Sequence, residues 1–246
     1  MTRFEWPYAR VFAHRCGGRL APENTLRALD AAAGWCGGVE FDVMLSGSGS
    51  PVLIHDETLE RTTNGRGRVA DTSDQVLRTL DAGSWFGPAF AGERLPTLAE
   101  AGRRCVALGL DANVEIKPSS GQDELTGQIV AREVRLLWAN ASRPPLLSSF
   151  SEAALRSAAE LAPELPRGLL VEEIPRDWLR RCRALGAVAL HADTRFLDQR
   201  KVRAVVDAGL WLVGYTENGP ARARSLFGWG VNCLITDRPD RIAAPN

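Results

Sequence analysis

Two histidines, three carboxylates and two cations in this chain are spaced as proton transfer at a phosphate-like centre would need them. His14 and Arg15 close the apolar run Val11-Phe12-Ala13, and Pro22-Glu23-Asn24-Thr25 follows as a helix cap. That order sets a group able to transfer protons beside a cationic clamp of phosphate size. In Val39-Glu40-Phe41-Asp42-Val43 the two acidic residues are two apart, so on a strand both carboxylates leave from one face. Glu115 and Lys117, flanking Ile116, repeat that geometry. Three carboxylates converging on one point repel one another unless compensated, and a hard divalent ion held by oxygens answers that need. A salt-bridged network with Lys117 and no metal is the alternative that spacing leaves open. His55 ends a second apolar run, Val52-Leu53-Ile54, and with His14 it makes an acid and a base if their surroundings separate their pKa values. His191, in Leu190-His191-Ala192-Asp193, is read as supporting the site or facing solvent rather than catalysing.

Bringing these groups to one rim requires strands that all end on the same side. Strand-like runs fall at Val11–Arg15, Gly38–Leu45, Asn113–Lys117, Pro145–Phe150, Arg167–Val171, Ala187–Ala192, Leu210–Thr216 and Val231–Thr236. Helical patterns lie between them at about Asn24–Ala33, Leu98–Leu108, Asp123–Trp138, Ser151–Leu161, Arg176–Leu185, Asp198–Ala208 and Pro220–Trp229, several stopped by glycine. Such alternation predicts a parallel sheet covered by helices, and eight repeats of it predict an α/β fold of the (β/α)8 TIM-barrel type. A doubly wound open sheet is the weaker alternative, because no G-x-G-x-x-G turn follows the first strand. One stretch breaks the pattern. Ser46-Gly47-Ser48-Gly49-Ser50 turns into a returning hairpin strand over Pro51–Asp56. Residues 57–96 then carry turn signals such as Asn64-Gly65 and Gly87-Pro88, with Trp85, Phe86 and Phe90 among them. The expectation is one catalytic domain over 1–246, with this insertion after the second strand lying over the catalytic face.

Composition narrows the function classes. Thirty basic side chains balance thirty acidic ones over 246 residues, so no global field draws the protein to nucleic acid or an anionic membrane. The first ten residues contain no apolar leader core, and no run approaches the roughly 18 apolar residues of a membrane span. The expected product is cytoplasmic, without stable membrane insertion. Five cysteines are scattered without C-x-x-C spacing and read as reduced, buried fillers. Cys16 follows His14-Arg15 directly, and a Cys–His pair could make a nucleophile, but this is the weaker reading beside that of a buried filler.

The run from His14-Arg15 through Pro22-Glu23-Asn24-Thr25, then Glu40-Phe41-Asp42-Val43, then Val52–Asp56 with Leu59 and Arg61-Thr62-Thr63, closely resembles the glycerophosphodiester phosphodiesterase family. Gly83-Ser84-Trp85-Phe86, Val114-Glu115-Ile116-Lys117, Ser148-Ser149-Phe150, Tyr215-Thr216-Glu217-Asn218 and Leu234–Pro239 continue the likeness in family order, so it covers about Val11 to Asp240. The resemblance implies a barrel with a small inserted segment and hydrolysis of small-molecule glycerophosphodiesters to glycerol 3-phosphate and an alcohol. It also implies a divalent cation, Mg²⁺ or Ca²⁺, on Glu40, Asp42 and Glu115, with His14 and His55 in acid–base catalysis and Arg15 and Lys117 on the phosphate. Two residues depart from the family pattern. Cys16 stands where glycine is usual, which predicts a narrower phosphate pocket. Tyr215 stands where tryptophan is usual and keeps an aromatic face toward the substrate. Rival readings are a lysophospholipase D or sphingomyelinase D type of lipid enzyme, a non-catalytic phosphodiester-binding barrel, and a metal-assisted hydrolase of another ester class. The first needs an interfacial apolar helix, which the sequence lacks, and the second would be expected to have lost a histidine or carboxylate. The third fits poorly with Arg15 beside His14.

Overall fold

The computed structural model describes residues 5–244, so the two ends of the expected 1–246 domain lie outside the described residues. Its strands are β1 (Val11–Ala13), β2 (Gly38–Leu45), β3 (Pro51–Leu53), β4 (Asp111–Ile116), β5 (Leu146–Ser149), β6 (Arg167–Val171), β7 (Ala189–Asp193), β8 (Trp211–Tyr215) and β9 (Cys233–Thr236). β1 pairs in parallel with both β2 and β9, which closes eight parallel strands into a barrel. The ninth, β3, is the hairpin strand, antiparallel to β2 with Val43 opposite Leu53. The helices are α1 (Leu26–Ala32), α2 (Asp74–Leu77), α3 (Leu98–Leu108), α4 (Asp123–Leu137), α5 (Glu152–Leu161), α6 (Trp178–Ala184), α7 (Gln199–Asp207) and α8 (Pro220–Trp229). All but α2 cover the barrel, and among the described residues no helix follows β9. No described helix is long and apolar enough to cross a membrane.

Local chemistry sets several of these boundaries. Thr97 and Glu100 form a reciprocal capping box at the start of α3, and Gly109, at φ 67°, ends it in the left-handed region. The outward residues of β1, β2 and β4 pack with α1, α3 and α4 in one buried cluster, while β6 to β9 pack with α6 to α8 in a second. Inside the barrel, Phe12, Leu146, Ala189, Val213, Cys233 and Ile235 fill the amino-terminal half beneath Trp6 and Tyr8. Trp6 meets Trp211 edge to face at 5.3 Å, which seals that end and leaves the opposite rim for chemistry.

The segment 57–96 has a small core of its own. Met44, Val52, Ile54, Leu59, Val69, Leu77 and Leu80 are buried together. Asp74, at the start of α2, accepts hydrogen bonds from the hydroxyls of Ser46 and Ser50 and ties the insertion to the hairpin turn. Leu53 N–H donates to the Pro96 carbonyl at 2.9 Å, so the segment leaves and rejoins the barrel at one place.

His191 does not face solvent, which corrects that part of the sequence reading. Alternate positions of β7 point to the barrel axis, and the imidazole is fully buried with neither nitrogen hydrogen-bonded to a described residue. Gly168 on β6 makes the room, since a Cβ there would come within 2.4 Å of His191 Nε2. Burial lowers this imidazole from 6.5 to about 3. The folded protein therefore refuses a proton that the unfolded chain accepts. The stability tied to His191 is complete above pH 6.5 and falls as pH drops toward 3, by roughly 1.4 kcal/mol per pH unit. Urea denaturation of the wild type and of His191→Leu at several pH values between about 4 and 7 should show that slope only in the wild type. Equal slopes would remove His191 from the account of acid stability.

Candidate active site

The strand expected to run to Arg15 stops at Ala13, and His14–Cys16 form a tight turn. Arg15, Cys16 and Asn24 hold φ of 50°, 74° and 55°. Non-glycine residues pay about 1–3 kcal/mol each to stay in such regions, so the surroundings must hold them there. Gly18 N–H donates to the His14 carbonyl at 2.6 Å, Asn24 N–H to the Arg15 carbonyl at 2.8 Å, and Arg15 N–H to Glu40 Oε2 at 3.0 Å. This turn sends His14 and Arg15 into the barrel mouth. It sends Cys16 the other way, into the buried cluster with Ala28 and Leu29. Cys16 consequently does not narrow the pocket as its place in the motif suggested. Burial pushes its thiol well above the usual range, so it is no nucleophile.

Glu40 and Asp42 on β2 and Glu115 on β4 each bring an oxygen within 4.8 Å of the others. The register that pairs Asp42 with Glu115 makes this convergence unavoidable. Glu40 and Asp42 are buried, and the Glu115 side chain is 13% exposed. Burial, then the charges of Asp42 and Glu115, push the Glu40 carboxyl well above its usual range. Burial and Asp42 likewise raise Glu115 to about 8. Burial opposes ionisation of Asp42 too, but Lys117, His55, Arg15 and the Asn24 amide outweigh it, so this carboxyl is held low. Asn24 Nδ2 donates to Asp42 Oδ2 at 2.9 Å, and Lys117 Nζ stands 3.6 Å from Asp42 Oδ1. Arg15 Nε is 3.8 Å from Asp42 Oδ2. With all three carboxylates ionised, two cationic side chains would leave one negative charge, and buried Glu40 Oε1 has no hydrogen-bond partner among the described residues. A divalent ion on these oxygens fits both features, and it would turn the excess into one positive charge, matching a phosphodiester anion.

Each histidine is held by a carboxylate at Nδ1. His14 Nδ1 lies 2.7 Å from Asp237 Oδ1, and its Nε2 is 3.9 Å from Glu40 Oε2. Burial opposes the Asp237 charge, yet His14, Asn218 and Arg19 hold its carboxyl down at about 2. His55 Nδ1 lies 2.6 Å from Asp56 Oδ1. Hydrogen bonds from Arg61, against a smaller cost of burial, hold Asp56 far below the usual carboxylate range. Ionised carboxylates only accept, so both histidines carry their proton on Nδ1 when neutral and keep a lone pair on Nε2. Burial, with Lys117 and Arg15 nearby, lowers His55 despite Asp42 and Asp56, which favours its neutral form.

A cavity of about 220 Å³ at the carboxyl ends of the strands is lined by His14, Arg15, Glu40, Asp42, His55, Glu115, Lys117 and Tyr215, all eight residues singled out from sequence. Phe150, Leu170 and Ile235 complete an apolar wall opposite the charged groups. The Tyr215 hydroxyl donates to the Val171 carbonyl at 2.8 Å, and its ring meets Phe150 edge to face at 6.2 Å. Two larger surface grooves, of about 550 and 740 Å³, hold neither a histidine nor an acidic cluster of this kind. The sequence reading assigned no role to Glu23, Asn24, Asp56, Arg61, Asn113 or Asp237, although all but Asn113 stand in blocks that carried the family likeness. Asp237 and His14 are 223 residues apart, and Glu23 and Arg61 stand in different loops, where local spacing carries no signal.

The model of the glycerophosphoryl diester phosphodiesterase family matches residues 14–241. A glycerophosphodiester phosphodiesterase of Caldanaerobacter subterraneus subsp. tengcongensis is 34% identical, covering 94% of this chain and 95% of its own. One from Bacillus subtilis is 32% identical, covering 93% of this chain and 83% of its own. Among solved structures, an Oleispira antarctica phosphodiesterase in complex with the product sn-glycerol-3-phosphate superposes with a TM-score of 0.91 at 39% identity, covering 95% of this chain and 94% of its own. This chain belongs to the glycerophosphodiester phosphodiesterase family and is an enzyme of that family.

The carboxylate cluster generates a test of metal binding. Glu115 titrates at about 8 in the metal-free fold, above its usual 4.5, so the stability linked to its proton is full below pH 4.5 and lost as pH rises toward 8. An ion bound on these carboxylates would take the proton's place. Mg²⁺ or Ca²⁺ should therefore raise Tm more at pH 8 than at pH 5, as thermal denaturation with and without chelator will measure. Glu40→Ala should abolish the metal-dependent rise. Val39→Ala, on the opposite face of β2, should keep it while losing roughly 0.5–3 kcal/mol of stability.

Proposed function

We propose that this protein hydrolyses glycerophosphodiesters to glycerol 3-phosphate and an alcohol, through acid–base catalysis by His14 and His55 at a divalent-ion site on Glu40, Asp42 and Glu115. The observation that carries this reading is the meeting of two carboxylate-held histidines, an acidic triad and two cations in one cavity. The product bound to the Oleispira antarctica relative supports the assignment of glycerol 3-phosphate. Mg²⁺ and Ca²⁺ are the ions that suit an all-carboxylate donor set. When bound, such an ion polarises a phosphoryl oxygen.

The chain's own groups do the rest. Arg15 and Lys117 take the nonbridging oxygens and spread their charge. The wall of Phe150, Leu170 and Tyr215 suits the carbon skeleton of glycerol, so the diester is oriented with its phosphorus between the two histidines. His55, which favours its neutral form, removes the proton from the attacking oxygen through Nε2. His14 donates a proton to the departing alkoxide. The segment 57–96 belongs to the same catalytic unit, since it follows His55 directly and its Arg61 bonds both Asp56 and Glu23.

A panel of glycerophosphodiesters, from glycerophosphocholine to glycerophosphoinositol, assayed for glycerol 3-phosphate with defined metals tests the reaction class. Absence of glycerol 3-phosphate from every member, with any of Mg²⁺, Ca²⁺ or Mn²⁺, refutes it. His14→Ala and His55→Ala should each lower kcat by about 10²–10⁴-fold with the metal-dependent rise in Tm intact. An aryl ester whose leaving group needs no proton separates the roles: His14→Ala should recover most of its rate on it, and His55→Ala should not.

A further inference from the structure

Arg61, in the inserted segment, makes four hydrogen bonds to two carboxylates at once. Its Nε and Nη2 donate to Asp56 Oδ2 and Oδ1 at 2.5 and 3.0 Å, and its Nη1 and Nη2 donate to Glu23 Oε2 and Oε1, both at 2.8 Å. The two oxygens that share Nη2 are the two that reach the active site. Asp56 Oδ1 accepts from His55 Nδ1, and Glu23 Oε1 accepts from Arg15 Nη1 at 3.0 Å. We propose that Arg61 is a positioning residue that fixes the base, His55, and the phosphate clamp, Arg15, in one relative geometry. This rests on the roles given to His55 and Arg15 above.

The alternative, that Arg61 merely fastens the insertion, fits the energetics poorly. The insertion already has its own core and backbone ties to the barrel. The Arg61 side chain is 43% exposed, where an ion pair adds little to stability. Geometry is what it supplies. A planar guanidinium fills two carboxylate forks, which an ammonium cannot do. On one arm it keeps Asp56 as an acceptor, so that the neutral His55 presents its lone pair to the cavity. On the other it competes for Glu23. Without Arg61, Glu23 has Arg15 as its remaining hydrogen-bonded cation and draws that guanidinium away from the phosphate. The two arms predict two separable defects, one in the chemical step and one in substrate binding.

The test uses the full chain with Mg²⁺ and glycerophosphocholine. Arg61→Ala should lower kcat by about 10–100-fold, the usual size of such supporting contacts, and raise KM. Its metal-dependent rise in Tm should stay. Arg61→Lys should be nearly as impaired, and millimolar guanidinium ion should restore activity to Arg61→Ala but not to His55→Ala. Adding Glu23→Gln to Arg61→Ala should bring KM back toward wild type while kcat stays low. An aryl ester should not rescue Arg61→Ala, because the base is the group misplaced. If Arg61→Ala keeps kcat and KM within about twofold of wild type while His55→Ala is inactive, Arg61 has no positioning role and the reading of the site stands. If His55→Ala and Arg15→Ala are themselves unimpaired, the reading of the site fails first. Full activity in Arg61→Lys would show that charge alone suffices and overturn the double-fork argument. Should Arg61→Ala fail to fold, Asp56→Asn carries the test: it should lower kcat by about 10–100-fold with the metal-dependent rise in Tm intact, and a kcat within about twofold of wild type overturns the proposal.

Discussion

Crowding three carboxylates within 4.8 Å of one another at the mouth of a barrel is the constraint on which the rest of the site depends. Period-2 geometry on β2 and the parallel register with β4 impose it, so local rearrangement cannot relieve it. The protein answers with donors and cations brought from the neighbouring loop. Arg15 N–H reaches Glu40 and the Asn24 amide reaches Asp42 only because both residues adopt left-handed backbone. The left-handed residues of the turn after β1 and the acidic cluster are thus tied by hydrogen bonds. Glu40 Oε1 remains without a partner after all of this, and it is the atom that most directly calls for an ion.

What could be read from the sequence followed from rules that act over a few residues. Alternating apolar runs and capped helices located all eight barrel strands and the helices between them, with ends shifted by a few residues, as where β4 begins at Asp111 rather than Asn113. The spacing of Glu40 with Asp42, and of Glu115 with Lys117, placed four site residues because a strand orders such pairs on one face. Cys16 and His191 were the positions where short-range rules misled. Extended geometry was carried two residues too far in the first case, to Arg15, where φ turns positive. In the second, burial depended on a missing side chain at Gly168, on a different strand. Likewise nothing near His14 announces Asp237, and nothing near Glu23 announces Arg61. Those contacts exist only once the barrel closes and its loops meet.

The two histidines are consequently supported by different parts of the fold. His14 is braced by Asp237, which follows the last barrel strand and is gripped by Asn218 from the neighbouring loop through its carboxylate and its backbone N–H. That support is built from the rim of the closed sheet. His55 is braced by its own neighbour Asp56, whose geometry is set by Arg61 within the insertion. The separation of the two imidazoles therefore depends on how the insertion sits on the barrel. Its small core around Met44 and Leu59, the Asp74 anchor on the hairpin turn and the Leu53–Pro96 hydrogen bond define that seat. The segment 57–96 thus supplies, through Arg61, the hydrogen bonds that hold Asp56 against His55 at the mouth of the barrel.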